Sequence, residues 1–209
     1  TERKLIDIAV IRLPRISNFT DFSPFERYGN VSLRYVDSVG DLHQPDMIIL
    51  PGTKSTIADL RWLRQCGLEA AIHKAANAGT LVFGVCGGYQ MLGRTVSDPE
   101  QVEAAGTTEI LGMGLLEMDT IFLGEKVQIQ TTGVFYGISG MLSDLNGMAY
   151  SGYEVHMGRS EEEMSALTGA DNVYGSYVHG IFDASGISDT ILKAICVKKG
   201  IDFDALETF

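Results

Sequence analysis

Four short runs of branched aliphatic residues, separated by stretches with helical spacing, constrain this chain more than any other feature. Leu5 to Leu13 (LIDIAVIRL) is rich in Ile and Val and is stopped by Pro14, and Val31 to Val36 (VSLRYV) alternates. Asp46 to Leu50 (DMIIL) ends at Pro51-Gly52, and Leu81 to Val85 (LVFGV) runs straight into Cys86. Runs that are apolar on both faces read as strands covered on both sides, and Pro and Gly punctuate them. Between them, Pro24 to Tyr28 can hold a short helix. Ser55 to Arg64 places Ile57, Leu60, Trp62 and Leu63 near helical spacing, with Ser55 or Thr56 as N-cap, and Leu68 to Ala78 repeats the stripe through Leu68, Ala71, Ile72 and Ala75. Strands alternating with helices over roughly the first 95 residues predict an α/β fold, with a mostly parallel central sheet and helices on both faces. Ligands collect beyond the carboxyl ends of such strands, so the turns at Pro51-Gly52 and at Cys86 share one rim.

The second half changes character. Glycines at 112, 114, 124, 133, 137, 140 and 147 punctuate short runs such as Val127 to Thr131, Ala149 to His156 and Val173 to His179. These read as antiparallel strands and hairpins added to the sheet. Ser185 to Lys198 closes the chain as a helix with Ile187, Ile191, Ala194 and Ile195 on one face. Without a repeat, a linker or a low-complexity segment, residues 1–209 read as one domain. The chain opens at Thr1, without a methionine and directly before a strand, which suggests a piece of something longer.

A net charge of −11 argues against broad contact with nucleic acid or anionic lipid, since both are bound through Lys and Arg. The three cysteines, Cys66, Cys86 and Cys196, are scattered and form no CxxC, which fits a reducing compartment rather than a disulfide framework or a zinc site. No signal segment and no run of about 18 apolar residues is visible, so the expectation is a soluble, cytoplasmic chain with no metal site. Lys54-Ser55 does not make a phosphate loop, because the GxxxxGK[ST] spacing is missing.

Gly84-Val85-Cys86-Gly87-Gly88, at the end of a strand and the start of a helix, has the G-x-Nu-x-G form of a nucleophile elbow. In that form the sulfur is exposed at the strand end, the helix N-terminus favours the thiolate, and the Gly87 N–H can donate to an oxyanion, with Pro51-Gly52 supplying a second N–H. This geometry serves acyl transfer through a thioester. The competing reading is a small buried cysteine at a tight turn, and spacing alone leaves the two level. For Cys66 and Cys196 the helical, partly apolar neighbours predict core positions. A thiol nucleophile needs a base. His43 and His73 read as surface residues, whereas His156 and His179 both fall at strand ends; either can serve, with His179 preferred.

Four blocks, LPGTKST at Leu50 to Thr56, GVCGGYQ at Gly84 to Gln90, GYEVHMGRS at Gly152 to Ser160 and GSYVHGIFD at Gly175 to Asp183, resemble class I glutamine amidotransferase domains in order and spacing. With the opening AVIRLPRISNFTDFSPFE at Ala9 to Glu26, the chain is most similar to the subgroup that forms the C-terminal glutaminase of cobyric acid synthases. The resemblance implies a flavodoxin-like fold in which Cys86 attacks the carboxamide of glutamine and His179 shuttles the proton. It also implies that Gly52 and Gly87 furnish the oxyanion N–H groups and that Gln90 lines the substrate pocket. Most members of the class carry a carboxylate two residues after the histidine, where this chain has Ile181. A dyad is therefore expected, with Asp183, Glu154 or a backbone carbonyl as the group that orients the ring. Glu154, His156 and Arg159 are expected at a wall of the site or at a surface that meets a synthetase domain. The resemblance further implies no cofactor here. ATP and Mg2+ are implied for an N-terminal ATP-binding synthetase domain, absent from these residues, which receives the ammonia and amidates peripheral carboxylates of a corrinoid, adenosylcobyrinic acid a,c-diamide. Cobyrinic acid a,c-diamide synthases, a cell-wall precursor amidase and a non-catalytic domain of the same fold are the alternatives, and the opening segment argues against the first two.

Overall fold

In the computed structural model, residues 3–160, 166–184 and 186–208 are described, except for the Arg159 side chain; the expectations for Arg159 and for Ser185 fall outside them. The first half folds as its apolar runs predict. Strands β1 (Ile6–Ile11), β2 (Val31–Val36), β3 (Met47–Leu50) and β4 (Leu81–Val85) alternate with helices α1 (Val39–Leu42), α2 (Thr56–Gln65) and α3 (Leu68–Asn77). After β4 the chain turns directly into α4 (Gly87–Leu92). The short helix expected at Pro24 to Tyr28 is a longer 3₁₀ segment, Phe19–Arg27, with Pro24 inside it.

The central sheet has six strands in the order β2-β1-β3-β4-β10-β9, where β9 is Thr168–Ala170 and β10 is Val173–Ser176. Successive strand residues point to opposite faces, so each buried strand feeds two cores. Ile8, Val10, Met47, Ile49 and Phe83 pack with Phe22 and Phe25 of the 3₁₀ segment and with Ile187, Ile191 and Ile195 of α5 (Ile187–Lys199). Ala9, Ile11, Ile48, Leu50 and Val82 pack on the other face against Leu60 and Leu63 of α2 and Leu68 and Ile72 of α3. Each of these larger aliphatic side chains contributes roughly 1.5–3 kcal/mol on burial, and the inner strands β3 and β4 carry no polar side chain.

The second half departs from the expectation in two ways. The run from Val173 forms a strand only to Ser176, and it pairs parallel with β4, not antiparallel; β9 alone adds an antiparallel edge to this sheet. Val127 to Thr131 and Ala149 to His156 lie in two long strands, β7 (Asp119–Val134) and β8 (Ala149–Ser160), which pair antiparallel with each other. These strands belong to a separate four-stranded sheet, β6-β5-β7-β8, with β5 at Thr95–Ser97 and β6 at Glu109–Leu111. Among the described residues, an isolated backbone bridge, Tyr153 with His179, joins β8 to the segment that follows β10. Alternation identifies a strand without naming its partner, so sheet membership was beyond the reach of the pattern. Among the described residues no helix is long and apolar enough to cross a membrane.

Candidate active site

Cys86 stands between β4 and α4 with φ 51° and ψ −111°, a left-handed backbone that a non-glycine residue adopts only where its surroundings impose it. Two glycines make the turn possible. A Cβ on Gly84 would lie 2.7 Å from Gly88 O and from Tyr89 N, and one on Gly88 would lie 2.0 Å from Leu50 O. The turn is clamped from both sides, as Gly88 N–H donates to Pro51 O and Cys86 N–H to Ser176 O. The expected elbow is thus present at the shared rim.

The opening segment is tied to the same rim. Ser17 N–H donates to Gly52 O, Lys54 N–H donates to Arg15 O, and the buried carboxylate of Asp59 holds both the Arg15 guanidinium and the Thr53 hydroxyl. The chain then enters the 3₁₀ segment, where Phe22 and Phe25, three residues apart and both buried, fix its inner face. Asp21 beside them is also buried, and its Oδ2 lies 2.7 Å from His179 Nδ1. A carboxylate only accepts, so Nδ1 carries the proton and Nε2 is left with its lone pair. Tyr153 stacks on the ring at 5.3 Å, and its backbone exchanges both hydrogen bonds with His179.

Cys86, Gly87, Gln90 and His179 line one cavity of about 380 Å³, together with Thr53, Lys54, Glu103, Lys126, Tyr153 and His156. Gly52 borders it, since a Cβ there would lie 3.3 Å from His179 Cε1. Gln90 is buried and held, with Oε1 accepting from the Thr56 hydroxyl and Nε2 donating to Met157 O. The thiol itself donates to Val155 O at 3.4 Å. Burial pushes Cys86 up to about 12; the Gly87 N–H works against this, while the charges of Asp21, Glu154 and Glu103 add to it. That corrects the expectation of a thiolate favoured by the helix end: in this state desolvation outweighs the N–H groups, and the thiol keeps its proton.

The sequence profile of the CobB/CobQ-like glutamine amidotransferase domain matches residues 7–187. The chain belongs to this family. Cobyric acid synthase of Lachnoclostridium phytofermentans is 50% identical over 99% of this chain and 45% of its own length. That of Ruminiclostridium cellulolyticum is 43% identical over 96% of this chain and 42% of its own length. The chain therefore spans less than half the length of these curated relatives. Two solved structures share the fold, a glutamine amidotransferase (TM-score 0.60, 18% identity, 93% of this chain and 99% of that one) and PurLQS from Thermotoga maritima (TM-score 0.60, 17% identity, with the same coverage).

Within this amidotransferase domain several sequence expectations change. Neither Asp183 nor Glu154 orients His179. Asp183 is exposed and lies beside Gly180, and Glu154 Oε2 is 3.3 Å from His156 Nε2. Asp21, which the sequence reading passed over, occupies the orienting place. Ile181, where most of the class has a carboxylate, is buried in the core with Phe182. The available signal for Asp21 was an acidic residue set among the three phenylalanines of Phe19 to Phe25 (FTDFSPF). His156 is not at a strand end but inside β8, with Nδ1 2.9 Å from Gly158 O and its ring stacked on Tyr177 at 3.9 Å. Cys66 is exposed, contrary to the core expectation, because it caps the C-terminus of α2; Cys196 is buried as expected.

Proposed function

We propose that this chain is the glutaminase part of a cobyric acid synthase. One observation carries the reading: a cysteine on a strained elbow shares a cavity with a histidine whose Nδ1 is held by a carboxylate and whose Nε2 is left open. In this mechanism Nε2 of His179 takes the thiol proton as Sγ attacks the glutamine carboxamide, so that no free thiolate is needed at rest. The N–H groups of Gly52 and Gly87 receive the oxyanion. The tetrahedral intermediate collapses as His179 returns the proton to the leaving nitrogen, ammonia departs, and a γ-glutamyl thioester remains. Water, deprotonated by His179, then releases glutamate. Asp21 acts as a positioning residue that fixes the tautomer and stabilises the imidazolium, so the expected dyad becomes a triad completed from the opening segment.

The relatives' name, cobyric acid synthase, supports the product; the rest of the reading goes beyond that name. Ammonia would pass to an ATP-binding synthetase domain of the same polypeptide, in the cytoplasm, where ATP and Mg2+ activate peripheral carboxylates of adenosylcobyrinic acid a,c-diamide for amidation. This chain's own residues contribute only the hydrolysis. In the full-length protein, Cys86→Ala is expected to abolish glutamine-dependent amidation while ammonia-dependent amidation continues. Amidation that still runs on glutamine would overturn the assignment of the nucleophile. Product analysis with the corrinoid, with cobyrinic acid and with a cell-wall precursor separates this acceptor from the alternatives.

A further inference from the structure

The catalytic scheme relies on two stretches that lie outside the helices and strands: Pro51 to Lys54, which carries the Gly52 N–H, and Pro14 to Asn18, which leads to Asp21. They support each other. Ile16 faces Thr53 in an isolated antiparallel bridge, Ser17 N–H donates to Gly52 O at 2.9 Å, and Lys54 N–H donates to Arg15 O at 3.0 Å. A single carboxylate, that of Asp59 in the first turn of α2, grips both. Its Oδ2 accepts from the Thr53 hydroxyl at 2.6 Å and from Arg15 N–H at 3.1 Å, and its Oδ1 accepts from the Arg15 guanidinium at 3.0 Å. The Asp59 side chain is fully buried, whereas that of Arg15 is half exposed. Burying a charge is costly unless donors meet it, and each donor that meets this one comes from the two loops. On its other side Thr53 packs against the elbow, since a Cβ on Gly87 would lie 2.5 Å from Thr53 Cγ2. The loop is thus held at Gly52 O and at Thr53, while the Gly52 N–H has no hydrogen-bond partner among the described residues and stays free to donate.

We propose that Asp59 is a positioning residue of the oxyanion site. It is not among the residues that line the cavity; it acts through Thr53 and the opening segment, which fix where the Gly52 N–H points. The proposal rests on the glutaminase reading and adds to it the group that sets the oxyanion donor before substrate arrives. A preset donor stabilises charge as it develops without reorganising, and a displacement of about 1 Å can cost about 10²-fold in rate. Asp21 is seated separately, by its buried neighbours Phe22 and Phe25, so the loss of Asp59 falls on the oxyanion rather than on the histidine.

The test uses the full-length protein with acceptor and ATP, in a Cys66→Ser background, and reads glutamine turnover, alkylation of Cys86 by iodoacetamide, and the melting temperature. Alkylation reports on the thiol but forms no oxyanion. Asp59→Asn, and Thr53→Val, which removes the hydroxyl and keeps the packing against Gly87, are each expected to lower kcat by about 10²-fold with KM for glutamine nearly unchanged. Alkylation of Cys86 is expected to stay close to that of the parent, and Thr53→Ser, which keeps the hydroxyl, to restore most of the turnover. Thr53→Val carries the test if Asp59→Asn does not fold. Parental kcat in Thr53→Val, or a loss that Thr53→Ser shares, would overturn the proposal. So would a fall in kcat matched by an equal fall in alkylation or by a collapse of the melting temperature, which would leave Asp59 as a structural anchor. A parent protein that releases no ammonia from glutamine sinks the glutaminase reading itself, and the proposal with it; an active parent with unaffected variants sinks the proposal alone.

Discussion

His179 and His156 line the same cavity, are both buried, and each stands beside a carboxylate, yet their ring nitrogens are used differently. Asp21 takes Nδ1 of His179 and leaves Nε2 open, whereas both nitrogens of His156 face acceptors, Gly158 O on one side and Glu154 on the other. A base must accept a proton and give it back, which needs an uncommitted lone pair. The difference shows that burial and a neighbouring carboxylate do not by themselves make a catalytic histidine; which nitrogen the protein occupies does.

That contrast can be broken most directly at His179. His179→Asn is expected to lower glutamine turnover by about 10³-fold, within the range general-base loss usually costs. Turnover within a few-fold of wild type would transfer the role to His156. The resting thiol offers a second handle. With Cys86 raised to about 12 by burial, its thiolate fraction grows tenfold per pH unit below that value, so alkylation by iodoacetamide should climb about 10³-fold from pH 7 to pH 10. The measurement belongs in a Cys66→Ser background, since Cys66 is exposed. A plateau below pH 8 would mean that the thiolate is present at rest. Asp21→Asn is expected to lower kcat with KM nearly unchanged, as befits a group that acts through the histidine. If Asp183→Asn matched that loss and Asp21→Asn did not, the orienting role would move. The smallest effect is expected at His156→Gln, less than about fivefold in kcat, with a lowered melting temperature from the lost stack on Tyr177 and the bond to Gly158. A deficit there as deep as at His179 would erase the distinction.

The two halves of the fold were not equally legible. The first half follows from local composition, because a strand buried on both faces must be apolar throughout and a helix covering it must carry a stripe; β1 to β4, α2 and α3 fall close to where these patterns put them. The runs in the second half were recognised as strands, but not which sheet would take them. β10 inserts parallel beside β4, and β7 and β8 form their own sheet, choices made by long-range pairing that no window of sequence contains. The site divides the same way. The elbow at Cys86 was legible because it is a local object, a few glycines around one strained residue, and Gly87 comes with it; the role of Cys86 and the place of Gln90 came from the resemblance.

What the sequence alone determined is therefore the elbow, the parallel half of the fold and, through its four motif blocks, the family. What only the tertiary structure decided is who serves the histidine. Asp21 and His179 are 158 positions apart, and their contact exists because Phe22 and Phe25 pack the opening segment against the same core that buries Ile181 and Phe182. With Ile181 committed to that core, the position two residues after the histidine could not supply the carboxylate, and the ring is oriented from the other end of the chain.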